Sequence, residues 1–356
     1  MIKLNTTLAK SMVSKLSKIN ATKLLEITSY YHIVIDGNGM VATAYDGNNF
    51  VQVTDPEVTS KEALDVIVEA EKFTKLINKT TTETITLQLA DGGYLQVTGN
   101  GKYLVEIVQD EKYPSIPELA DPITCTIKLE DMKKVANINK GAVSTNLTEG
   151  YLNGYMMSNY SCITTDAIKV CISNMEFFED ESILLTKDMV NLICMIQEPT
   201  ATVEYSDGKL LVYTDTVKIF GGEFDGADEY PVEAALEMAD SEFEFKCTLS
   251  KANILAVCDR LSLFTDPFKQ SELYLDFLKK GLVISTTTGS NEIVPYIDKG
   301  TWGDFSCAIN STYLVDLVSS IQQYKFELQY GREDMIKLVD GDAVQILATN
   351  EDDDEA

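Results

Sequence analysis

AEKFTKLINKTTTETITLQLADGGYLQVT, from Ala70 to Thr98, is matched later in the chain by TKDMVNLICMIQEPTATVEYSDGKLLVYT, from Thr186 to Thr214. The two stretches have the same length and align without a gap, so that Asp91-Gly92 falls on Asp207-Gly208. Self-similarity of this kind indicates that one supersecondary unit occurs more than once in the chain.

Each copy has the pattern of a helix followed by a hairpin. In the first copy Phe73 and Ile77 stand four residues apart, which places them on one face of a helix. Ile85, Leu87 and Leu89 then alternate with polar residues, as in a half-buried strand. The Asp-Gly pair that follows is a signal for a tight hairpin turn before a second strand.

A third copy lies near the C-terminus, NSTYLVDLVSSIQQYKFELQYGREDMIKLVD, from Asn310 to Asp340, with a longer turn. The segments that precede the three copies also agree. Each begins with a helical pattern, near residues 8, 129 and 249, and continues with strand-like alternation. The chain is therefore predicted to be an α+β protein of three repeated domains, each with two helices packed on antiparallel sheet.

The domain boundaries are placed at the linkers between these repeats. The first two units close with the tripeptides KYP, Lys112–Pro114, and EYP, Glu229–Pro231. A Pro-rich linker begins at the first tripeptide, and an acidic linker contains the second. The predicted domains are residues 1–121, 122–243 and 244–350, with an acidic tail at 351–356. Repeats of this length are too long for a solenoid, so three domains in line favour an arc or a ring.

Positive charge is concentrated on the predicted helices of an otherwise acidic chain. The chain has 29 Lys and Arg against 56 Asp and Glu, a net charge of −27, yet residues 1–25 contain five lysines and no acid. In the first helix Leu8, Met12, Leu16 and Ile19 share one arc, opposite the lysines. Lys133 and Lys140 stand two turns apart on a third helix. This pattern favours a surface that follows phosphates without reading bases; the alternative is that the lysines only solvate amphipathic helices.

Little in the sequence suggests chemistry. The single histidine, His32, lies in an alternating strand, and the seven cysteines form no CxxC pair. These counts argue against a zinc site, a disulfide framework and a Ser-His-Asp triad. We expect no enzyme activity, no metal and no cofactor. The start lacks a secretory signal and no stretch is long enough for a membrane span, which favours the cytoplasm.

Three short motifs resemble one known family. YLNG (Tyr151 to Gly154), TTDAIKV (Thr164 to Val170) and INSTYLVDLV (Ile309 to Val318) are similar to phrases of the bacterial DNA polymerase III beta subunit, the replicative sliding clamp. The motifs stand in the family's order, and the resemblance runs through all three repeats. It implies a head-to-tail homodimer, a ring of six domains lined by helices, through which double-stranded DNA passes without sequence-specific contacts. It also implies a DNA polymerase and a clamp loader as partners, and no membrane.

The DNA-facing set predicted with the charge pattern of the helices is Lys10, Lys15, Lys18, Lys23, Lys72, Lys75, Lys79, Lys133, Lys140, Lys187 and Tyr151. The resemblance assigns residues to two further surfaces. A pocket between domains two and three, which binds partner peptides, would be formed by Leu152, Thr165, Asp166, Lys169, Val170, Asn310, Tyr313, Ile346 and Leu347. The dimer interface would place Tyr103 and Val105 of domain one against Leu263 and Phe264 of domain three.

The chain departs from the family at two places in the pocket. The family's Gly-His pair is Ala167-Ile168 here, and its MPM ending is LAT, Leu347 to Thr349, followed by the acidic tail. The preferred partner peptide is therefore expected to differ, and a bacteriophage-encoded clamp is one origin that the sequence leaves open. The predicted function is a DNA sliding clamp; the alternatives are a repeated-domain structural or interaction protein without DNA binding and a carboxylate-dependent hydrolase.

Overall fold

The computed structural model describes residues 1–19, 25–108, 112–158, 160–265 and 271–350. Its α-helices in these ranges are α1 Thr6–Leu16, α2 Ala70–Lys79, α3 Leu129–Asn139, α4 Lys187–Cys194, α5 Val232–Asp240, α6 Lys251–Leu261 and α7 Ser311–Ser320. Short 3₁₀ segments lie at Glu26–Ser29, Lys140–Ala142, Leu147–Asn153, Ala227–Glu229 and Ser262–Phe264.

The strands fall into three sets of eight along the chain. The first set is β1 Ile2–Asn5, β2 Tyr30–Ile35, β3 Met40–Tyr45, β4 Phe50–Asp55, β5 Leu64–Glu69, β6 Thr84–Ala90, β7 Tyr94–Thr98 and β8 Lys102–Val108. The second is β9 Ile123–Lys128, β10 Gly154–Ser158, β11 Ser161–Thr165, β12 Lys169–Asn174, β13 Ile183–Thr186, β14 Thr200–Ser206, β15 Lys209–Tyr213 and β16 Val217–Gly222. The third is β17 Phe245–Ser250, β18 Glu272–Leu278, β19 Gly281–Thr286, β20 Asn291–Val294, β21 Phe305–Asn310, β22 Lys325–Tyr330, β23 Met335–Asp340 and β24 Ala343–Ala348.

The chain divides into two compact units. One unit comprises Met1–Leu129 and Asp188–Glu223, and the other comprises the described residues of Glu130–Lys187 and Phe224–Ala356. The first contains one twelve-stranded sheet in the order β1-β6-β7-β8-β5-β2-β3-β4-β16-β15-β14-β9. The second contains an eight-stranded sheet, β13-β10-β11-β12-β24-β23-β22-β17, and a four-stranded sheet, β20-β19-β18-β21.

The strand order repeats three times, as the sequence predicts. Within each set of eight, the first strand pairs with the sixth, the sixth with the seventh and the seventh with the eighth. The fifth, second, third and fourth strands form the other half in the same way. The repeated helix-and-hairpin stretches are α2-β6-β7, α4-β14-β15 and α7-β22-β23. The residue boundaries of the three domains stay a prediction.

The apolar positions of the repeated stretch form the core where the helix period requires it. Phe73, Ile77, Met189 and Ile193 are all fully buried under their sheets. Asp207 and Gly208 have φ of 47° and 71°, the left-handed pair that a tight hairpin needs.

The tyrosines of the two YP motifs explain why that motif recurs. The Tyr113 hydroxyl donates a hydrogen bond of 2.9 Å to the carbonyl of Tyr30 in β2. In the second repeat the Tyr230 hydroxyl accepts from the Thr165 amide at 3.0 Å and donates to the Ile163 carbonyl at 3.4 Å, both in β11. Each tyrosine therefore ties the chain that leaves a repeat to a strand of that repeat, and burial raises the pKa of both hydroxyls.

Four details of the sequence prediction are wrong. Leu8 and Leu89 are 41% and 51% exposed, because the buried face of α1 centres on Met12 and Val13 and because Leu89 lies near the end of its strand. Lys140 is not on the third α-helix, which ends at Asn139; it begins a 3₁₀ turn. The predicted acidic linker contains helix α5, whose Ala, Leu, Glu and Met residues are strong helix formers.

Candidate functional site

Most of the predicted DNA-facing lysines lie on helix surfaces. Lys18, Lys72, Lys75, Lys79, Lys133, Lys140 and Lys187 are exposed, and Lys10 and Lys15 are partly exposed. Lys23 lies outside the described residues. Because each helix buries its apolar stripe against a sheet, its lysines are left on the opposite side.

The helices differ in how much of this positive charge is left unbalanced by acidic side chains. Helix α1 carries Lys10 and Lys15 and no acid. In α2 the ammonium of Lys72 lies 3.7 Å from Glu69, and Lys75 forms an ion pair with Glu71. Helices α3 and α4 contain as many acids as lysines. A surface with excess positive charge is therefore centred on α1 and the C-terminal half of α2, a smaller region than the sequence suggested.

The second unit contains an apolar cavity of about 440 Å³. Four of the predicted pocket residues line it: Leu152, Thr165, Val170 and Ile346. A volume of this size suits a few apolar side chains.

An adjoining open cavity of about 530 Å³ is lined by two further predicted residues, Asn310 and Tyr313. Ile168 and Ala348 line both cavities and thus form their common boundary. The Asn310 side chain is partly occupied, because its carbonyl oxygen accepts from the Thr312 amide at 2.9 Å and caps α7.

Lys169 and Asp166 lie behind the cavity wall instead of lining it. The Lys169 ammonium, in a side chain only 5% exposed, lies 3.3 Å from Asp166, 2.9 Å from Asp316 and 4.7 Å from the centre of the Tyr313 ring. Burial by itself lowers the pKa of Lys169, but the hydrogen bond to Asp316 and the two carboxylate charges outweigh it, so the pKa is raised. This cluster joins the β11–β12 turn to helix α7.

Two of the predicted assignments are corrected by side-chain direction. Leu347 is fully buried on the core side of its sheet, because neighbouring residues of a strand point to opposite faces and Ile346 faces the cavity. Tyr151, which we predicted to face DNA, lines the cavity instead, and its ring packs edge-on against Tyr230 with 6.1 Å between centroids.

Sequence reasoning missed one whole wall of the cavity. Helix α5 and the residue before it contribute Pro231, Ala234, Ala235 and Met238. The Lys337 ammonium of β23 holds the end of this helix, donating to the carbonyls of Ala239 at 3.0 Å and Ser241 at 2.9 Å. Burial lowers the pKa of Lys337. The Ala-rich, helix-forming composition of this segment was the signal that could have identified the wall.

A buried asparagine fixes the two strands that carry the opposite wall. The Asn139 side-chain amide donates to the carbonyls of Cys162 and Cys171 at 2.9 and 3.0 Å, and its oxygen accepts from the Ser173 hydroxyl at 2.5 Å. Because every polar atom of this side chain is satisfied, the network holds β11 and β12, and hence Thr165 and Val170, in one arrangement.

One of the predicted interface residues has its side chain buried within its own unit. Tyr103 is 42% exposed, Leu263 is 79% exposed and Phe264 is 55% exposed, whereas Val105 is 3% exposed and packs inside its own unit. Its neighbour Leu104, at 59%, is an exposed apolar residue of the same strand. On one side of β8, residues 102–106 pair with β7. On its other side, in the described chain, only Ile107 and Val108 are paired, with β5. Strand β20 pairs only with β19 among the strands described.

The described ranges contain neither a metal-binding cluster nor a membrane-spanning helix. No group of three or more His, Cys, Asp or Glu side chains in these ranges is arranged to hold a metal ion. Among the described helices, none is long and apolar enough to span a membrane.

Comparisons with known proteins agree on one fold. No family model matches the sequence. A beta sliding clamp from Streptococcus pneumoniae is 19% identical over 348 residues, which cover 92% of this chain and 89% of that protein. The crystal structure of the DNA polymerase beta subunit of Streptococcus pyogenes superposes with a TM-score of 0.87 at 16% identity, covering 98% of this chain and 99% of that one. The sliding clamp of Bacillus subtilis gives 0.85 at 14% identity, over 98% of each chain. The chain therefore has the fold of these clamps.

Proposed function

We propose that this chain, which shares its fold with bacterial beta sliding clamps, is a DNA sliding clamp, a processivity factor that encircles duplex DNA and tethers a DNA polymerase. The observation that carries this proposal is the match to clamp structures over almost the whole chain, with TM-scores of 0.82 to 0.87. It acts by binding and not by catalysis, in the cytoplasm of a bacterial or an infected cell.

The charge distribution supports DNA as the ligand. The chain as a whole has a net charge of −27 and should repel DNA, yet α1 carries lysines and no acid, and the end of α2 carries Lys79. Lysines on a helix surface interact with phosphates irrespective of base sequence. Weak, sequence-independent contacts are what a ring that slides on DNA requires.

A homodimer would complete the ring through two strand edges. The first part of β8 and the strand β20 each have one edge that no described strand pairs, and exposed apolar residues accompany both: Tyr103 and Leu104 near one, Leu263 and Phe264 near the other. Exposed edges of this kind are suited to pairing with another chain. A head-to-tail contact between two different surfaces generates a closed ring when the rotation closes.

The paired cavities of the second unit would bind the polymerase and other replication proteins, including a clamp loader, through short peptides. The apolar lining of the cavity beside α5 and the preformed walls of both cavities support this role.

The first experiment measures the mass of the purified full-length chain by light scattering after size exclusion. A clamp should give twice the 39.5 kDa of the chain over a wide concentration range. A mass that stays at 39.5 kDa at all concentrations would contradict the self-closing ring.

A second experiment tests encirclement directly. The protein is allowed to diffuse onto a linear duplex with free ends, and both ends are then blocked with biotin and streptavidin. A ring should remain on the DNA at high salt, should be released by cutting the duplex in its middle, and should not enter DNA whose ends were blocked first. Ordinary electrostatic binding would instead be lost at high salt irrespective of the blocks.

A further inference from the structure

The apolar cavity in the second unit is surrounded by carboxylates. On α5, Glu233 and Glu237 are exposed and each directly precedes a lining residue, Ala234 or Met238. The helix has three acids and no base. Asp228 and Glu229, in the 3₁₀ turn that leads to this wall, are exposed as well.

The opposite side of the cavity carries two further acids, of which Asp334 is paired with Arg332 and Glu333 has no ion pair in the described chain. Asp334 lines the cavity and Glu333 precedes it, both exposed. The backbone carbonyls of these two residues accept from Thr349, which lines the adjoining cavity, so this acidic turn is fixed to the end of the chain's last strand.

The nearby cations in the described chain are already engaged. The Lys169 ammonium is held between Asp166 and Asp316. The Arg332 guanidinium forms two hydrogen bonds of 2.9 Å with Asp334, and the Lys337 ammonium is bound to the two carbonyls at the end of α5. These cations offer little attraction to a ligand carboxylate, whereas the acids on α5 have no ion pair within the described residues.

We propose that the cavity takes a peptide segment whose apolar side chains enter it and whose flanking residues are lysine or arginine. This inference rests on the proposed function of the cavity as a peptide-binding site. The apolar lining provides the anchor, and the surrounding carboxylates select the flanks, because like charges across an interface are unfavourable and opposite charges attract. An acidic peptide segment is disfavoured for the same reason.

The test is a display selection of short random peptides on the full-length protein at near-physiological salt. The same library is selected on Ala234→Trp, which fills the cavity from an exposed position of α5. We expect the peptides that are enriched only on the unmodified protein to contain an apolar core with Lys or Arg flanks. Cavity-dependent peptides without a basic bias would overturn the inference and leave the cavity's function in place. An absence of cavity-dependent peptides would overturn both this inference and the proposed peptide-binding role of the cavity. It would do so whatever the DNA retention experiment shows about encirclement.

The best peptide is then titrated against rim variants. The double rim variant Glu233→Gln with Glu237→Gln should weaken binding about three-fold, as expected for exposed charges. The loss should shrink as salt is raised. The matched control is Glu130→Gln with Asp259→Asn, two acids on helices that do not line either cavity, and it should leave the affinity unchanged. Equal affinities for rim variants and control would contradict the proposal.

Discussion

At the scale of single residues, the turn between β11 and β12 combines a strained backbone position with a side chain that separates the two cavities. Ala167 has a φ of 70°, a conformation that favours glycine, and Ile168 forms the boundary between the two cavities. The turn thus has an alanine in a conformation that suits glycine, and an apolar side chain between the cavities.

The first prediction concerns that strain. Ala167→Gly should raise the free energy of unfolding by about 0.5 to 1 kcal/mol, because a left-handed conformation costs an L-residue about 1 to 2 kcal/mol and glycine's entropy offsets part of the gain. Urea unfolding measures it. The control Ala256→Gly, at an exposed position within α6, should lower the same quantity by about 1 kcal/mol. A loss at residue 167 would show that the turn is not strained.

The second prediction concerns Lys169. Lys169→Met should lower the free energy of unfolding by about 2 kcal/mol, less than the loss of a fully buried pair because the Asp316 side chain is 44% exposed. Asp316→Asn alone should cost about 1 kcal/mol, and the double variant should cost less than the sum of the two. Strict additivity in the double-mutant cycle would mean that the pair is not coupled.

At the scale of elements, caps and tethers locate the helices and strands. Asn5 and Asn310 accept from the first amides of α1 and α7, and the YP tyrosines bind strands β2 and β11. Hydrogen bonds at the ends of elements set where each begins, while the apolar stripe sets which face is buried.

A third prediction concerns the segment between α4 and β14. Burial raises the pKa of Glu198, but hydrogen bonds from Thr216 and Thr214 and the charge of Lys15 outweigh it, so the pKa is lowered from 4.5. A carboxyl with a lowered folded-state pKa stabilises the protein above its unfolded pKa and loses that contribution as pH falls through the folded pKa.

Glu198→Gln should therefore reduce the free energy of unfolding at pH 7 and reduce it progressively less as pH falls below 4.5. Urea unfolding of both proteins between neutral and acidic pH measures the difference. A difference that stays constant across the range would contradict the assignment.

At the scale of the whole molecule, the same topological unit occurs three times in one chain. Every strand pairing in the described chain is antiparallel, and each repeat ends with a strand that can extend the sheet of its neighbour, as in the β4–β16 and β12–β24 pairs. In the proposed dimer the last strand of the first repeat, β8, would pair in the same manner with the fourth strand of the third repeat, β20.

The fourth prediction tests those edges. Leu263→Asp with Phe264→Asp should convert the dimer to a monomer, because two exposed apolar residues at the proposed interface become charged. Light scattering measures the mass. Tyr324→Asp, at a position 72% exposed, is the control and should leave the dimer intact. A dimer that survives the double substitution would place the interface elsewhere.

The sequence by itself determined the three-fold repeat, the α+β class and the apolar faces of the repeated helices. Local periodicity and turn chemistry specify these features, because Phe73 and Ile77 must share a helix face wherever that helix packs. The absence of acidic residues from α1 was also evident from the sequence.

Only the tertiary structure decided which of two neighbouring strand residues faces a cavity or the solvent and which faces the core. Ile346 and Leu347, or Leu104 and Val105, differ only in the direction that strand register gives them. The α5 wall and the ion cluster of Lys169 with Asp166 and Asp316 depend on contacts between segments far apart in the chain, which no local pattern encodes. The fold was therefore predictable from the chain's own repetition, whereas the cavity became visible only once distant elements were packed together.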